Sequence, residues 1–222
     1  MKKVGLLLIG LTVAIFANGQ IVKIQGGTSI SKLNWDLSSV GANSPYNETL
    51  IGYSIFAGVD YFNKQFFNLS SNIGMIRKGG QEELQLNDPS GSYLRTITEK
   101  ATLDYLSINT TIDLKYPIKE TISPFISVGP RFEYLLSNSK HFDILDDGNL
   151  NSVSIGLILG AGVKYDISNL QLGLRADYYF DFTKIADWTI EYGGYGIENS
   201  TKRVGISANT FTVNLTVGYR LK

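Results

Sequence analysis

Eight stretches of alternating apolar and polar residues follow an export-type leader, and the connections between them are short and long by turns. These three observations predict an all-β fold, an eight-stranded antiparallel up-and-down transmembrane β-barrel. A side-chain period of two places successive residues on opposite faces of a strand, so each alternating run offers one apolar face and one polar face. Short and long connections in strict alternation put all the long loops at one end of the barrel.

Residues 1–19 read as a cleaved signal peptide and 20–222 as the barrel domain. Lys2 and Lys3 form a basic start, Val4 to Phe16 an apolar stretch, and Ala17-Asn18-Gly19 the small residues before a cleavage point at Gln20. That apolar stretch is too short to span a membrane as a helix, which takes about 20 residues. The full chain has 20 basic and 20 acidic residues, and without the two leader lysines the mature chain has 18 basic against 20 acidic. So balanced a charge leaves no footprint for nucleic acid. Cysteine is absent, which excludes disulfides, thiolate metal sites, a cysteine nucleophile and a lipid anchor on an N-terminal cysteine. The 23 glycines and the 24 Tyr and Phe, against two Met, suit a chain rich in strands and turns.

The first strand, Val22 to Leu33, sets Val22, Ile24, Gly26, Thr28 and Ile30 against Lys23, Gln25, Gly27 and Ser29. Ile51 to Tyr61 sets Ile51, Tyr53, Ile55, Ala57, Val59 and Tyr61 against glycines, Ser54, Phe56 and Asp60. Phe66 to Met75 sets Phe67, Leu69, Ser71, Ile73 and Met75 against Asn68, Ser70, Asn72 and Gly74. Thr102 to Tyr116 carries Leu106, Ile108, Ile112 and Leu114 opposite Tyr105, Ser107, Asn109, Asp113 and Lys115. Pro124 to Leu136 carries Ile126, Val128, Phe132 and Tyr134 opposite Phe125, Ser127, Arg131 and Glu133. Val153 to Tyr165 and Leu170 to Phe182 repeat the pattern, with Lys164, Arg175, Asp177, Tyr179 and Asp181 on their polar faces. The last strand, Asn209 to Lys222, alternates from Phe211 to Leu221 and should close the barrel against Val22–Leu33.

Three connections are turns: Phe62–Gln65, Pro117–Thr121 and Asp166–Asn169. Four are long and polar: Asn34–Thr49, Lys78–Ala101, Asn138–Asn151 and Lys184–Ser207. Within the second of these, Pro89-Ser90-Gly91 reads as a turn capping a strand-pair extension.

The apolar face should point outward. Its runs match the 9 to 11 residues a tilted strand needs to cross a bilayer, and its aromatics gather toward strand ends as girdles do. The polar face holds Asp60, Asp113, Glu133, Asp177 and Asp181 against Lys115, Lys164, Arg131, Arg175 and Arg220, five of each sign. Eight strands enclose a space that side chains fill, so these charges should pair in a plugged core, with glycines on the same face making room.

The chain also resembles the PorT-type outer membrane β-barrel domain family of Bacteroidetes-like bacteria. The shared positions are Gly26-Gly27-x-Ser29, Gly74 before Arg77-Lys78-Gly79, Tyr105-Leu106-x-Ile108, Leu114-Lys115-Tyr116, Pro124-Phe125, Gly129-Pro130, Gly160-x-Gly162-Val163-x-Tyr165, Leu174-Arg175-x-x-Tyr178 and Val217-Gly218-Tyr219-Arg220. Asn109-Thr110 departs from it, and so does the ending on Lys222 where such chains commonly end on Phe. The resemblance implies an outer-membrane protein; one namesake is linked to a surface protein secretion and maturation system.

Candidate chemistry is thin, and no catalytic, cofactor-binding or metal site is assigned. His141 is the only histidine and lies in a polar loop with Ser139 and Asp143 nearby, a set without fixed geometry. Asp146-Asp147-Gly148-Asn149 lacks the ligand series of a calcium loop and reads as a turn. Trp188, Tyr192 and Tyr195 in the last loop suit either interfacial anchors or a partner site. The expectation is a non-enzymatic, monomeric protein of the bacterial outer membrane with a structural or surface-interaction role. Its partners would be outer-membrane lipid, the barrel-assembly machinery during insertion, and a protein or glycan at the loops. A narrow conduit for a small solute and an accessory role in surface protein secretion are the alternatives.

Overall fold

The structure is a computed structural model that describes residues 20–36, 44–118, 121–139, 150–194 and 197–221, with side chains at 190–204 left out of the description. Nine strands follow in order: β1 Ile21–Asp36, β2 Glu48–Asp60, β3 Phe67–Asn87, β4 Tyr93–Lys115, β5 Ile122–Asn138, β6 Val153–Ile167, β7 Leu170–Asp181, β8 Ala186–Gly194 and β9 Ile197–Arg220. All pairings are antiparallel. Each strand from β1 to β7 pairs with the next, β7 pairs with β9, and β9 returns to β1. The ring therefore closes through eight strands, and the chain's last strand runs beside its first from Ile21↔Arg220 to Asp36↔Gly205.

The ninth strand was not legible as such. β8 lies in the stretch expected to be loop, Lys184–Ser207, and pairs only with the far half of β9, from Ala186↔Ile206 to Gly194↔Ile197. The Lys78–Ala101 segment, also expected to be a loop, is mostly strand. β3 and β4 stay in register beyond the ring as far as Leu86↔Arg95. The Pro89-Ser90-Gly91 turn closes that hairpin as expected: Asp88 Oδ1 accepts hydrogen bonds from the amides of Ser90 at 2.9 Å and Ser92 at 2.8 Å. At the opposite end the connections are short. The tightest leaves only Ser168 and Asn169 between Ile167 and Leu170, with Ser168 at φ 55°, the first-position sign of a two-residue hairpin turn.

The ring's stagger follows from register. The row of paired residues starting at Lys23 passes through Gly58, Asn72, Asn109, Arg131, Gly156 and Asp181. Continued across β9 in the same register it meets Ala208, whose partner on β1 is Leu33, ten residues beyond its start. Eight strands with that stagger are inclined by about 40° to the axis.

The apolar face points outward, as the alternation predicts. Ile24, Ile55, Leu215 and Ile126 are each more than half exposed, whereas their neighbours Lys23, Gln25, Asn214 and Ser127 are buried. Phe67 to Met75 on β3 and Leu170 to Phe182 on β7 bound the range of outward apolar runs. At about 3.3 Å per residue and this tilt they make a belt about 25 Å tall. Tyr61, Phe67, Tyr116, Tyr165 and Tyr219 line its short-turn edge; Tyr53, Tyr134, Phe180 and Phe182 line the other. Two hydroxyls inside the belt satisfy each other: Ser71 Oγ and Thr110 Oγ1 lie 2.9 Å apart.

Candidate functional site

Among the described residues, charge, hydrogen bonding and burial converge on the inward face of the ring. It is organised in layers along the axis.

The layer nearest the short turns holds three cations and three carboxylates. Lys23 Nζ lies 2.5 Å from Asp60 Oδ1 and donates to Ser70 Oγ at 2.6 Å. Lys164 bridges Asp60 at 3.2 Å and Asp113 at 2.8 Å. Arg175 Nε lies 2.7 Å from Asp177, and its Nη2 donates to Ser127 Oγ at 3.0 Å. These ions are nearly solvent-free, and the cluster is neutral as a whole. Burial of each ion costs several kcal/mol, which mutual attraction repays only when every charge has a partner. The small cavity beside Lys23, Gln25, Phe125, Lys164 and Arg175 measures about 10 Å³, roughly the size needed for a single water.

An uncharged layer follows. Gln25 donates to Asn72 at 3.2 Å, Asn72 to Asn109 at 2.8 Å, and Ser54 to Asn214 at 2.5 Å. Above it sits a second neutral cluster. Lys78 Nζ is 2.7 Å from Glu133 and 3.4 Å from Asp181, and Arg131 contacts both carboxylates. Aromatic rings line this layer: Lys78 sits 5.4 Å from the Tyr105 ring and 5.5 Å from that of Tyr179, with Arg131 5.0 Å from Tyr179.

The last layer is apolar. Leu33, Ile76, Leu103, Ile158, Ile185, Ile206 and Ala208 are buried together, with Trp35 and Trp188 packed against them edge to face at 6.3 Å. Ile185 reaches this position because its amide donates to Ile206 at 2.7 Å, drawing the β7–β8 connection over the mouth. Glycines on the inward face give the long side chains room: a Cβ at Gly160 would meet the Asp177 carboxylate, and one at Gly156 the Arg131 guanidinium.

The paired, plugged interior is as expected, but its membership differs. Lys115 and Arg220 belong to the rim, where Lys115 donates to Asn63 at 2.5 Å and Arg220 lies 3.1 Å from Asp166. Lys23 and Lys78 take their places among the five inner cations. Lys78 falls in the segment expected to be loop, Lys78–Ala101, whereas β3 continues through it with Gly79 at φ 149°. The rings of Phe56, Tyr105, Phe125 and Tyr179 lie on the inward face to which the alternation assigns them, but the apolar layer was missed because its residues share the parity of the polar face. Trp188 is neither a lipid anchor nor a free partner surface but part of the apolar layer. Ser139 Oγ accepts a hydrogen bond from the Thr102 amide at 3.0 Å; His141, Asp143 and Asp146–Asn149 lie outside the described residues, as do Tyr195 and the side chain of Tyr192. Among the described residues no three His, Asp or Glu side chains gather as metal ligands do.

Outside the ring the β3–β4 hairpin carries Glu82 and Glu99 directly opposite each other. Tyr46 joins them, donating from its amide to Glu82 at 3.3 Å and from its hydroxyl to Glu99 at 3.2 Å. Burial, reinforced by Glu99, pushes the Tyr46 phenol above its ordinary range.

Known structures share this architecture. OprG from Pseudomonas aeruginosa superposes with a TM-score of 0.52 at 12% identity, covering 92% of this chain and 97% of that one. Ail of Yersinia pestis, solved with the heparin analogue sucrose octasulfate, gives 0.42 at 14% identity, covering 92% and 99%. The N-terminal β-barrel domain of Pseudomonas aeruginosa OprF gives 0.45 at 11% identity, covering 92% of this chain and 98% of that one. No curated protein sequence matches the chain. The family model described as outer membrane protein beta-barrel domain matches residues 16–187. The chain, an antiparallel barrel with its apolar belt outward, belongs to the outer membrane protein beta-barrel domain family of the bacterial outer membrane.

Proposed function

We propose that the protein is a closed outer-membrane barrel with a structural or surface-interaction role, exerted through the strands that rise beyond the belt. The observation that carries this reading is the filled lumen: two neutral ion clusters, a hydrogen-bonded layer between them and an apolar layer at the mouth. A solute crossing it would have to separate buried ion pairs, at a cost of several kcal/mol for each charge left alone. The β3–β4 hairpin, with Tyr93 and Leu94 exposed beyond the ring, supports a protein or glycan partner at the outer end.

Residues 1–19 serve as a cleaved export signal, the terminal strand is what the barrel-assembly machinery reads, and the mature protein is a monomer without catalytic activity. The PorT-type placement is supported by where its shared positions fall: Gly74, Gly129 and Gly160 at close approaches, and Arg175 in an ion cluster. Liposome swelling tests the closed-barrel reading. Vesicles carrying the folded protein should swell in small sugars and amino acids no faster than empty ones, and accelerated swelling would favour the solute conduit.

A further inference from the structure

Above the ring the β3–β4 hairpin stands with an open strand edge on its β5 side. β5 follows β4 only as far as Leu103↔Asn138. One further rung lies beyond: Ser139 donates its amide to the Thr102 carbonyl at 2.9 Å, and its Oγ takes the Thr102 amide at 3.0 Å. Thr102 thus turns both backbone groups away from β3. In an antiparallel ladder that direction alternates residue by residue, and β3 and β4 keep one register from Gly79↔Thr102 to Leu86↔Arg95. Lys100, Thr98 and Thr96 therefore turn theirs to the same side, where no described strand pairs with them, and all three residues are exposed. Native strand edges are commonly blunted by proline or by a bulge. Arg95 to Lys100 contains neither, since the bulge, at Leu94, lies beyond it. Thr96, Ile97 and Thr98 are β-branched, the side chains that suit a strand.

The lane beside Arg95–Lys100 is about 20 Å long at the rise of an extended strand. Arg95 and Lys100 against Glu99 give it a net positive charge, whereas Glu82 and Glu83 make the β3 side of the same hairpin acidic. Backbone donors and acceptors presented in a row match an extended polypeptide, and the charges beside them select its sequence. We infer that this edge is a docking site for an extended acidic segment of a partner protein. The segment adds antiparallel to β4, with carboxylates beside Lys100 and Arg95 and an apolar side chain beside Ile97. The site rests on the surface-interaction reading above and commits the partner to protein. Liposome swelling judges the closed barrel separately, so either reading can fail alone.

Residue-resolved amide exchange of the full mature protein in detergent micelles, with the blocked hexapeptide Glu-Thr-Thr-Val-Thr-Glu as probe, tests it. In the protein alone the amides of Thr96, Thr98 and Lys100 should exchange fast, and those of Ile97 and Glu99, which face β3, slowly. At about 90% occupancy the three edge amides should slow about tenfold, because only the free tenth exchanges. The same peptide with lysine for both glutamates should leave them fast. Thr98→Pro removes the central edge donor without touching a bond to β3 and should abolish the protection, whereas Thr98→Val should keep it. Slow exchange at Ile97 and Glu99 in each variant shows that the hairpin is intact. Edge amides already slow in the protein alone, no protection by the acidic peptide, equal protection by both peptides, or protection that survives Thr98→Pro would overturn the inference.

Discussion

Lys78 and Glu133 meet at 2.7 Å across the barrel interior although 55 residues separate them in the chain. Neither side chain has appreciable contact with solvent. Each also touches the other pair of its cluster: Lys78 reaches Asp181, and Glu133 contacts Arg131. Two cations and two carboxylates thus share one buried layer with no net charge.

This balance gives the first prediction. Glu133→Leu leaves Lys78 and Arg131 sharing Asp181 alone and should destabilise the barrel by about 3–5 kcal/mol. The double variant Lys78→Met/Glu133→Leu keeps Arg131 with Asp181 and should recover most of that loss. Urea unfolding in lipid vesicles, followed by tryptophan fluorescence, gives both values.

The second prediction concerns the outer face. Leu159, in mid-belt, and Ile51, at the far edge beside the Tyr53 girdle, are both more than half exposed. Leu159→Arg should cost about 2–4 kcal/mol and Ile51→Arg about 0–1 kcal/mol, following the depth dependence of charge on a barrel's lipid face. Equal costs in vesicle unfolding would argue against the assigned belt.

Removal of apolar bulk at the mouth is the third. Ile206 is fully buried among Leu33, Ile185 and Ala208, so Ile206→Ala should cost about 2–5 kcal/mol. Trp35 and Trp188 adjoin that site, and acrylamide quenching of their fluorescence should rise in the variant.

The fourth follows a proton. Hydrogen bonding, chiefly from the Ser90 hydroxyl and then the Ser92 amide, holds the Asp88 carboxyl below its ordinary range. A carboxyl depressed in this way favours the closed turn at pH values above its unfolded pKa, and that support is lost as pH falls through the lower folded value. Amide exchange at Ser90 and Ser92 should therefore stay slow at neutral pH and accelerate in acid, after correction for intrinsic rates. Asp88→Ala should remove the pH dependence.

Much of the architecture was legible because period-two alternation needs no partner to be seen. Val22 to Ile30 and Phe211 to Leu221 show their outward faces in the sequence, and the ladder from Val22↔Tyr219 to Ile30↔Phe211 joins those faces. The inner layer was less legible because parity fixes direction and says nothing of height. Lys23 and Leu33 share a face of β1, yet one lies in an ion cluster and the other in the apolar layer. Their separation along β1 is fixed, but which residues of the other seven strands share each height is set by the barrel's stagger. Lys115 and Arg220 share the parity of the inner cations, but each lies near its strand's short-turn end and finds its partner at the rim. β8 was hidden for a further reason. Ala186, Trp188, Ile190 and Tyr192 do alternate with Asp187, Thr189 and Glu191, but the run is short, ends on Gly193-Gly194 inside a long connection, and only the extension of β9 gives it a neighbour.

The central claim is that paired charges and the apolar layer close the lumen. Single-channel recording in planar bilayers, with the folded full-length mature protein in molar salt, tests it most directly. Wild type should show no steady conductance above the bare membrane, and Glu133→Leu, if it inserts, should show brief openings as its cluster loses balance. A stable conductance in wild type at low voltage would contradict the account.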